Sequence, residues 1–311
     1  MIHSDQPHLI AAARSHAGLQ RQNNEDRYAV RSYRLEKTAA PVLLAIVSDG
    51  IGGHQAGEVA AQITVETMLK ELKAFEGDDP TQQIKRAVLL ANQAVSEAAA
   101  ESVDRSGMGA TLALAMVIGA RLYTATVGDS RIYLLRGGRL RQISIDHTWV
   151  QEAIEYEIIS PEEALDHPQS HILRRHIGGE QPPDPDFRMQ LEDGTNETRA
   201  IANQGVLLGA GDQVLLCTDG LTDMVEDQEI YNALHTRPPE LAVETLLDLA
   251  LQRGGLDNIT LVILGMPESI ADYLTPPRPG RVRRLIPALL ILVLLTLIGM
   301  AVIWWTGLWP W

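Results

Sequence analysis

"LLAIVSDGIGGHQAGEVAAQ" (residues 43–62) runs from an apolar stretch through a glycine-rich turn into a helical pattern. A glycine-rich turn between a strand and a helix commonly holds a nucleotide phosphate. Here the turn opens with Asp49, a negative charge where a pyrophosphate would sit. Gly50 and Gly52 fit the first two glycines of G-x-G-x-x-G, but the third position is Gln55. The dinucleotide reading therefore fails on charge and on spacing. A carboxylate at a strand end, beside a backbone that can approach closely, suits a cation. Taken alone, the same Asp-Gly also reads as a plain tight turn.

The pattern recurs. Apolar runs end in an aspartate and a small or polar residue at "AIVSDG" (Asp49), "TATVGDS" (Asp129) and "VLLCTDG" (Asp219). "GGLDNITLV" places Asp257 just before another run, and "RQNNEDR" adds Glu25 and Asp26. Carboxylates brought to one edge of a sheet sandwich repel one another unless a cation neutralises them. Hard oxygen ligands with no His or Cys cluster nearby select Mg²⁺ or Mn²⁺ over Zn²⁺. Two such ions sharing a carboxylate form a site for activating water against a phosphate ester.

Around these residues the hydrophobic periodicity predicts a buried strand over 42–47 and an amphipathic helix over 57–75. A second helix starts at Pro80 with Asp79 as its N-cap and Ile84, Val88, Ala91 and Val95 on one face. Short strands are expected at 111–118, 122–127 and 131–136, punctuated by Gly119-Ala120 and Gly137-Gly138, which suggests antiparallel hairpins. Strands return at 214–217 and 259–264, with a helix over 239–252 between them. Segregated strands and helices argue for an α+β fold with antiparallel sheets and helices outside.

The chain has 311 residues, room for one large domain or two modest ones, and is 45% hydrophobic, enough for a sizeable core. A formal net charge of −14 argues against nucleic acid as the main partner. The lone cysteine, Cys217, excludes an internal disulfide and points to a reduced compartment. In the apolar run "VLLC" its thiol reads as inert filler. The first residues show no basic start and long apolar stretch, so no signal peptide is expected. By contrast, "LIPALLILVLLTLIGMAVIWW" (285–305) carries no charge. As a helix it would span about 30 Å, the thickness of a bilayer core. Arg278, Arg281, Arg283 and Arg284 precede it, and Trp304, Trp305, Trp309 and Trp311 close it. That predicts a transmembrane helix with the large domain cytoplasmic, at the cell membrane. The expected organisation is a domain over 1–266, a Pro/Arg-rich linker over 267–284, the span over 285–305 and a short tail over 306–311.

Taken together, "GLQRQNNEDRY", "VSDGIGGHQAGEVA", "SGMGATLALA", "VGDSRIYLLRGGRL", "ISIDHTWV", "LLCTDGLTDMV" and "DNITLVIL" resemble, in order, the motifs of the bacterial type 2C metal-dependent serine/threonine protein phosphatases. The resemblance covers residues 18–264. It implies an antiparallel β-sandwich flanked by helices on both outer faces, with a flap over about 147–185 beside the active site. It also implies two tightly bound Mn²⁺ or Mg²⁺ ions and a weaker third, with metal-activated water attacking phosphoserine or phosphothreonine. On the matching positions, Asp49 would bridge the two ions and the Gly50 carbonyl would ligate one. Asp219 and Asp257 would complete the first ion's shell, and Glu25 would act on the second through water. Asp129, with Asp219, would hold the third, and Arg21 would grip the substrate phosphate. The partners implied are phosphorylated proteins, including serine/threonine kinases, whose action the enzyme would oppose.

Some family members, chiefly eukaryotic, carry a histidine directly after the Asp-Gly as general acid; here that residue is Ile51. His54, three residues on, is one candidate for the role, and water is the other. His147, His167, His171 and His176 read as structural, and Arg131 as an ion-pair partner. Two rival functions stay open at this point: a membrane-anchored, non-catalytic module of the same fold, and a phosphatase of small metabolites.

Overall fold

The structure is a computed structural model, and residues 1–52, 56–164 and 167–267 are described. The apolar run before Asp49 is the strand Pro41–Ser48, and Val42, Leu43, Leu44, Ala45, Ile46 and Val47 are all fully buried. A strand can be apolar on both faces only when both are covered. Val42, Leu44 and Ile46 pack with Ala60, Met68, Leu72, Ile84 and Val88 from two helices, Ala56–Lys73 and Pro80–Ala100. Leu43, Ala45 and Val47 face the other way, against Val214, Leu216, Val262 and Leu264.

Those last four belong to a second sheet, so the architecture is helices, sheet, sheet, helices. The first sheet has six strands in the spatial order Ile2–His3, Arg27–Arg34, Pro41–Ser48, Leu112–Ile118, Arg121–Val127 and Val206–Leu207. The second has five: Arg139–Gln142, Arg131–Arg136, Gln213–Cys217, Ile259–Gly265 and Ile10–His16. Every pairing in both sheets is antiparallel. On the outer face of the second sheet, Leu215, Cys217, Leu261 and Ile263 meet Ile230, Leu234, Val243 and Leu246. These come from the helices Asp227–Thr236 and Pro239–Gln252. The sandwich with helices on both outer faces thus follows the expectation.

Local signals behave as their chemistry requires. The Asp79 carboxylate accepts from the backbone N–H groups of Thr81 (3.0 Å) and Gln82 (3.1 Å), capping the helix that Pro80 opens. Gly137 (φ 57°) and Gly138 (φ 73°) turn the hairpin that pairs Arg136 with Arg139, a two-residue loop needing positive φ at both positions.

Two long strands and one helix go beyond what hydrophobic periodicity predicts. Ile10–His16 is alanine-rich and half exposed at a sheet edge, and Arg27–Arg34 begins and ends on arginine, so neither shows a buried-strand pattern. Asp227–Thr236 starts with a capping box between Glu226 and Glu229, a signal carried by polar residues rather than by an apolar stripe. No helix among the described residues is long and apolar enough to cross a membrane. The span expected at 285–305, most of the linker before it, and His54 all lie outside the described residues.

Candidate active site

Antiparallel register gathers the expected residues. Ser48 lies opposite Arg27, so Asp49 follows one strand where Glu25 and Asp26 precede its neighbour. Leu112 lies opposite Val127, which puts the Gly128-Asp129 corner beside Thr111, itself bonded to Asp49. In the second sheet Cys217 pairs with Leu261, so Asp219 leaves the same edge from which Asp257 enters. All seven expected site residues, Arg21, Glu25, Asp49, Gly50, Asp129, Asp219 and Asp257, line one cleft of about 600 Å³.

Short-range bonds lock this edge. The Thr111 hydroxyl accepts from the Asp49 N–H (2.9 Å) and is hydrogen-bonded to the Ser130 hydroxyl (2.7 Å), tying the two aspartate corners together. The Asn258 side chain accepts from the Glu25 N–H (2.6 Å) and donates to the carbonyls of Ala17 (3.0 Å) and Asn23 (2.9 Å). Those three bonds fix the loop that carries Arg21 and Glu25. The glycines that first suggested a phosphate serve backbone approach instead. A β-carbon at Gly50 would collide with the carbonyls of Gly57 and Glu25, and one at Gly220 with the carbonyl of Asn258.

The electrostatics follow from five carboxylates lining one cleft with a single guanidinium. Burial first, then the charges of Asp26, Asp219, Asp129 and Asp257, hold the Asp49 carboxyl well above the usual carboxylate range. Burial, then Asp219 and Asp146, do the same to Asp129. Asp219 is pushed up to about 6 by burial, then Asp223 and Asp257, and Asp26 up to about 7, mainly by burial. Burial also raises Glu25. Arg21 Nη2 donates to Asp257 Oδ2 at 2.7 Å, with the Arg21 side chain more than half exposed. The fold therefore concentrates oxygen donors and negative charge beyond what its own cation neutralises, which is the donor set that suits hard divalent ions.

Other residues complete the picture. Arg131 pairs with Asp146 (Nη2–Oδ2 2.7 Å), the structural role expected of it. His147 is buried and bonded on both ring nitrogens, also as expected. His171 is not a structural histidine: it lines the cleft, exposed, with Nδ1 3.9 Å from Asp223 Oδ2. Ligand atoms of His171, Asp219 and Asp223 lie within 4.8 Å of one another. Sequence reasoning misses Asp223, Asn258 and Thr111. Asp223 sits four residues after Asp219, one helical turn on, and that spacing is the one available signal.

Residues 14–244 match the protein phosphatase 2C family. The chain belongs to that family. Among its members, the serine/threonine protein phosphatase PstP of Mycobacterium tuberculosis is 37% identical over 265 residues, covering 85% of this chain. The chain spans only 46% of PstP's own length. The protein phosphatase PhpP of Streptococcus pneumoniae is 33% identical over 260 residues, covering 82% of this chain and 96% of PhpP. Among solved 2C structures, the catalytic domain of PstP in complex with two manganese ions superposes with a TM-score of 0.67 at 35% identity, over 83% of this chain and 97% of that one.

Proposed function

We propose that this chain hydrolyses phosphoserine and phosphothreonine in proteins, using Mn²⁺ or Mg²⁺. The observation that carries the reading is the convergence of Glu25, Asp49, Asp129, Asp219 and Asp257 with Arg21 in one cleft. The similarity to the phosphatases PstP and PhpP, and the two manganese ions of the PstP domain, support it. Asp49, the Gly50 carbonyl, Asp219 and Asp257 would hold the tight ions, with Glu25 acting through water. Asp129 and Asp219 would hold a weaker third. Bound ions of this kind supply a nucleophile from water near neutral pH and neutralise phosphoryl oxygens. Arg21, exposed at the cleft mouth, would hold the substrate phosphate through the N–H groups left over from Asp257, a planar fork matching a tetrahedral oxyanion. Asn258 and Thr111 would keep these groups aligned.

The test is turnover of a phosphothreonine peptide. Activity is expected with Mn²⁺ or Mg²⁺, to vanish in EDTA and to return when the ion is restored. Undiminished turnover in EDTA sinks the reading. Faster turnover of sugar phosphates than of phosphopeptides redirects it to small metabolites.

The proposal extends to place and partners. The uncharged stretch 285–305 with its preceding arginines would anchor the domain at the cytoplasmic face of the membrane, where phosphorylated proteins, among them serine/threonine kinases, would be its substrates. The full chain should then stay in the membrane fraction through alkaline carbonate extraction, and a chain ending at Gly280 should not. Release of both into the supernatant removes the anchor from the proposal.

A further inference from the structure

His147 lies outside the cleft lining, yet it is bonded to the backbone that carries one of its carboxylates. It is 3% exposed. Its ring Nδ1 accepts from the Gly128 N–H at 3.0 Å, and its own backbone N–H donates to the Gly128 carbonyl at 2.9 Å. A backbone N–H can only donate, so Nδ1 carries no proton and Nε2 does. Nε2 points its proton at Asp186 Oδ2, 3.2 Å away. Asp186 is itself clamped by Arg188, from Nε to Oδ2 (2.8 Å) and from Nη2 to the same oxygen (2.6 Å). Its backbone pairs with Thr126 on the strand leading to Gly128, at 2.9 and 3.1 Å. The imidazole is therefore held in one tautomer and one orientation, and His147 grips Gly128 by both of that glycine's backbone groups.

Gly128 needs such a grip. Its φ of 99° is open to few residues, and a β-carbon there would strike Thr111, the residue bonded to Asp49. Asp129 follows directly and lines the cleft. On its other side the His147 carbonyl accepts from the Arg174 N–H (2.8 Å), and two residues on Trp149 N–H donates to the Ile172 carbonyl (2.8 Å). The segment so tied carries His171 and Leu173, which also line the cleft.

We propose that His147 is a positioning residue that holds the Gly128-Asp129 corner and the 171–174 segment in one register, and so sets how tightly Asp129 grips the weakest divalent ion. The inference rests on the function proposed above. The side chains that could replace it make a discriminating pair. Asparagine offers an oxygen where Nδ1 stands but cannot reach Asp186, whereas glutamine reaches Asp186 but leaves the Gly128 N–H without its acceptor.

The experiment is a calorimetric Mn²⁺ titration of the full chain as wild type, His147→Asn and His147→Gln, with amide hydrogen exchange at Gly128 measured by NMR. Loss of one buried hydrogen bond should weaken the weakest Mn²⁺ event about tenfold in His147→Gln while the asparagine variant stays within about threefold of wild type. The tight events should be unchanged in both, and the Gly128 amide should exchange faster in the glutamine variant alone. Equal losses in the two variants, or none in either, overturn the proposal. Should His147→Gln fail to fold, the asparagine variant decides: a retained weak event supports the proposal and a lost one overturns it. A wild type that turns over phosphopeptide without any divalent ion overturns the site's reading, and this proposal with it.

Discussion

Replacing Asp49 by asparagine is expected to reduce phosphothreonine-peptide turnover by about three orders of magnitude, equivalent to ~4 kcal/mol of transition-state stabilisation. The same change should make the metal-free protein more stable. An amide oxygen is a neutral, weaker donor than a carboxylate, so the divalent ions that Asp49 would help hold under the proposed function would be bound less tightly. In the absence of metal the sign reverses. Burial, then the charges of Asp26, Asp219, Asp129 and Asp257, disfavour the ionised form of Asp49, so near neutral pH the folded chain bears a cost either for ionising this carboxyl or for protonating it. Asparagine removes the charge and keeps the shape, and the backbone bonds to Thr111 do not involve the carboxylate. Relief of that cost of burying an ionisable carboxyl is worth on the order of 1–3 kcal/mol. Parallel measurements of turnover with Mn²⁺ and of the thermal midpoint in EDTA check both halves. A variant that melts earlier than wild type in EDTA would mean Asp49 is a structural hub, and its lost activity would then say nothing about metal.

How much of the fold and the site is legible in the sequence depends on where each signal sits along the chain. Strands buried on both faces declare themselves as unbroken apolar runs, so 42–47, 214–217 and 259–264 stand out, and with them the aspartates at their ends. Edge strands do not: Ile10–His16 is read only once Ile259–Gly265 is there to pair with it. The site is legible as a set of residues but not as a set of contacts. Nothing in "DHTWV" says that His147 reaches back 19 positions to Gly128, because that bond exists only after the sandwich has closed. Nor does a histidine in a polar stretch announce that it will end beside Asp223, as His171 does. Glycine misleads in a useful way. Gly50 first suggests a phosphate loop, and its physical role is the close approach of Gly57 and Glu25.

The carboxylate cluster also dictates an unusual pH response of the metal-free protein. Asp26 moves from an ordinary 3.8 up to about 7, and Asp219 from 3.8 up to about 6, both mainly through burial. Between those limits the folded state binds more protons than the unfolded chain, so stability falls as pH rises. Their contribution is fully present below about pH 4, drains away through pH 6–7, and is gone above. Each tenfold gain in proton affinity on folding is worth about 1.4 kcal/mol, and the groups titrate together, so the loss is on the order of several kcal/mol. Asp186 acts in the opposite sense in a lower window. The hydrogen bonds from His147 and Arg188 outweigh its burial and hold its carboxyl well below 3.8, so its stabilisation disappears as pH falls below about 4. In EDTA the thermal midpoint should therefore peak near pH ~4–5 and decline toward pH ~7.5. Divalent ions bind the deprotonated carboxylates and compete with protons, so saturating Mn²⁺ should add little at pH ~4.5 and most at pH ~7.5, moving the optimum upward. Melting curves at these two pH values, each with EDTA and with Mn²⁺, provide the comparison needed. A midpoint in EDTA that climbs from the lower pH to the higher would show that the carboxylates at this sheet edge are solvated apart rather than forced together, and would remove the electrostatic ground for placing cations among them.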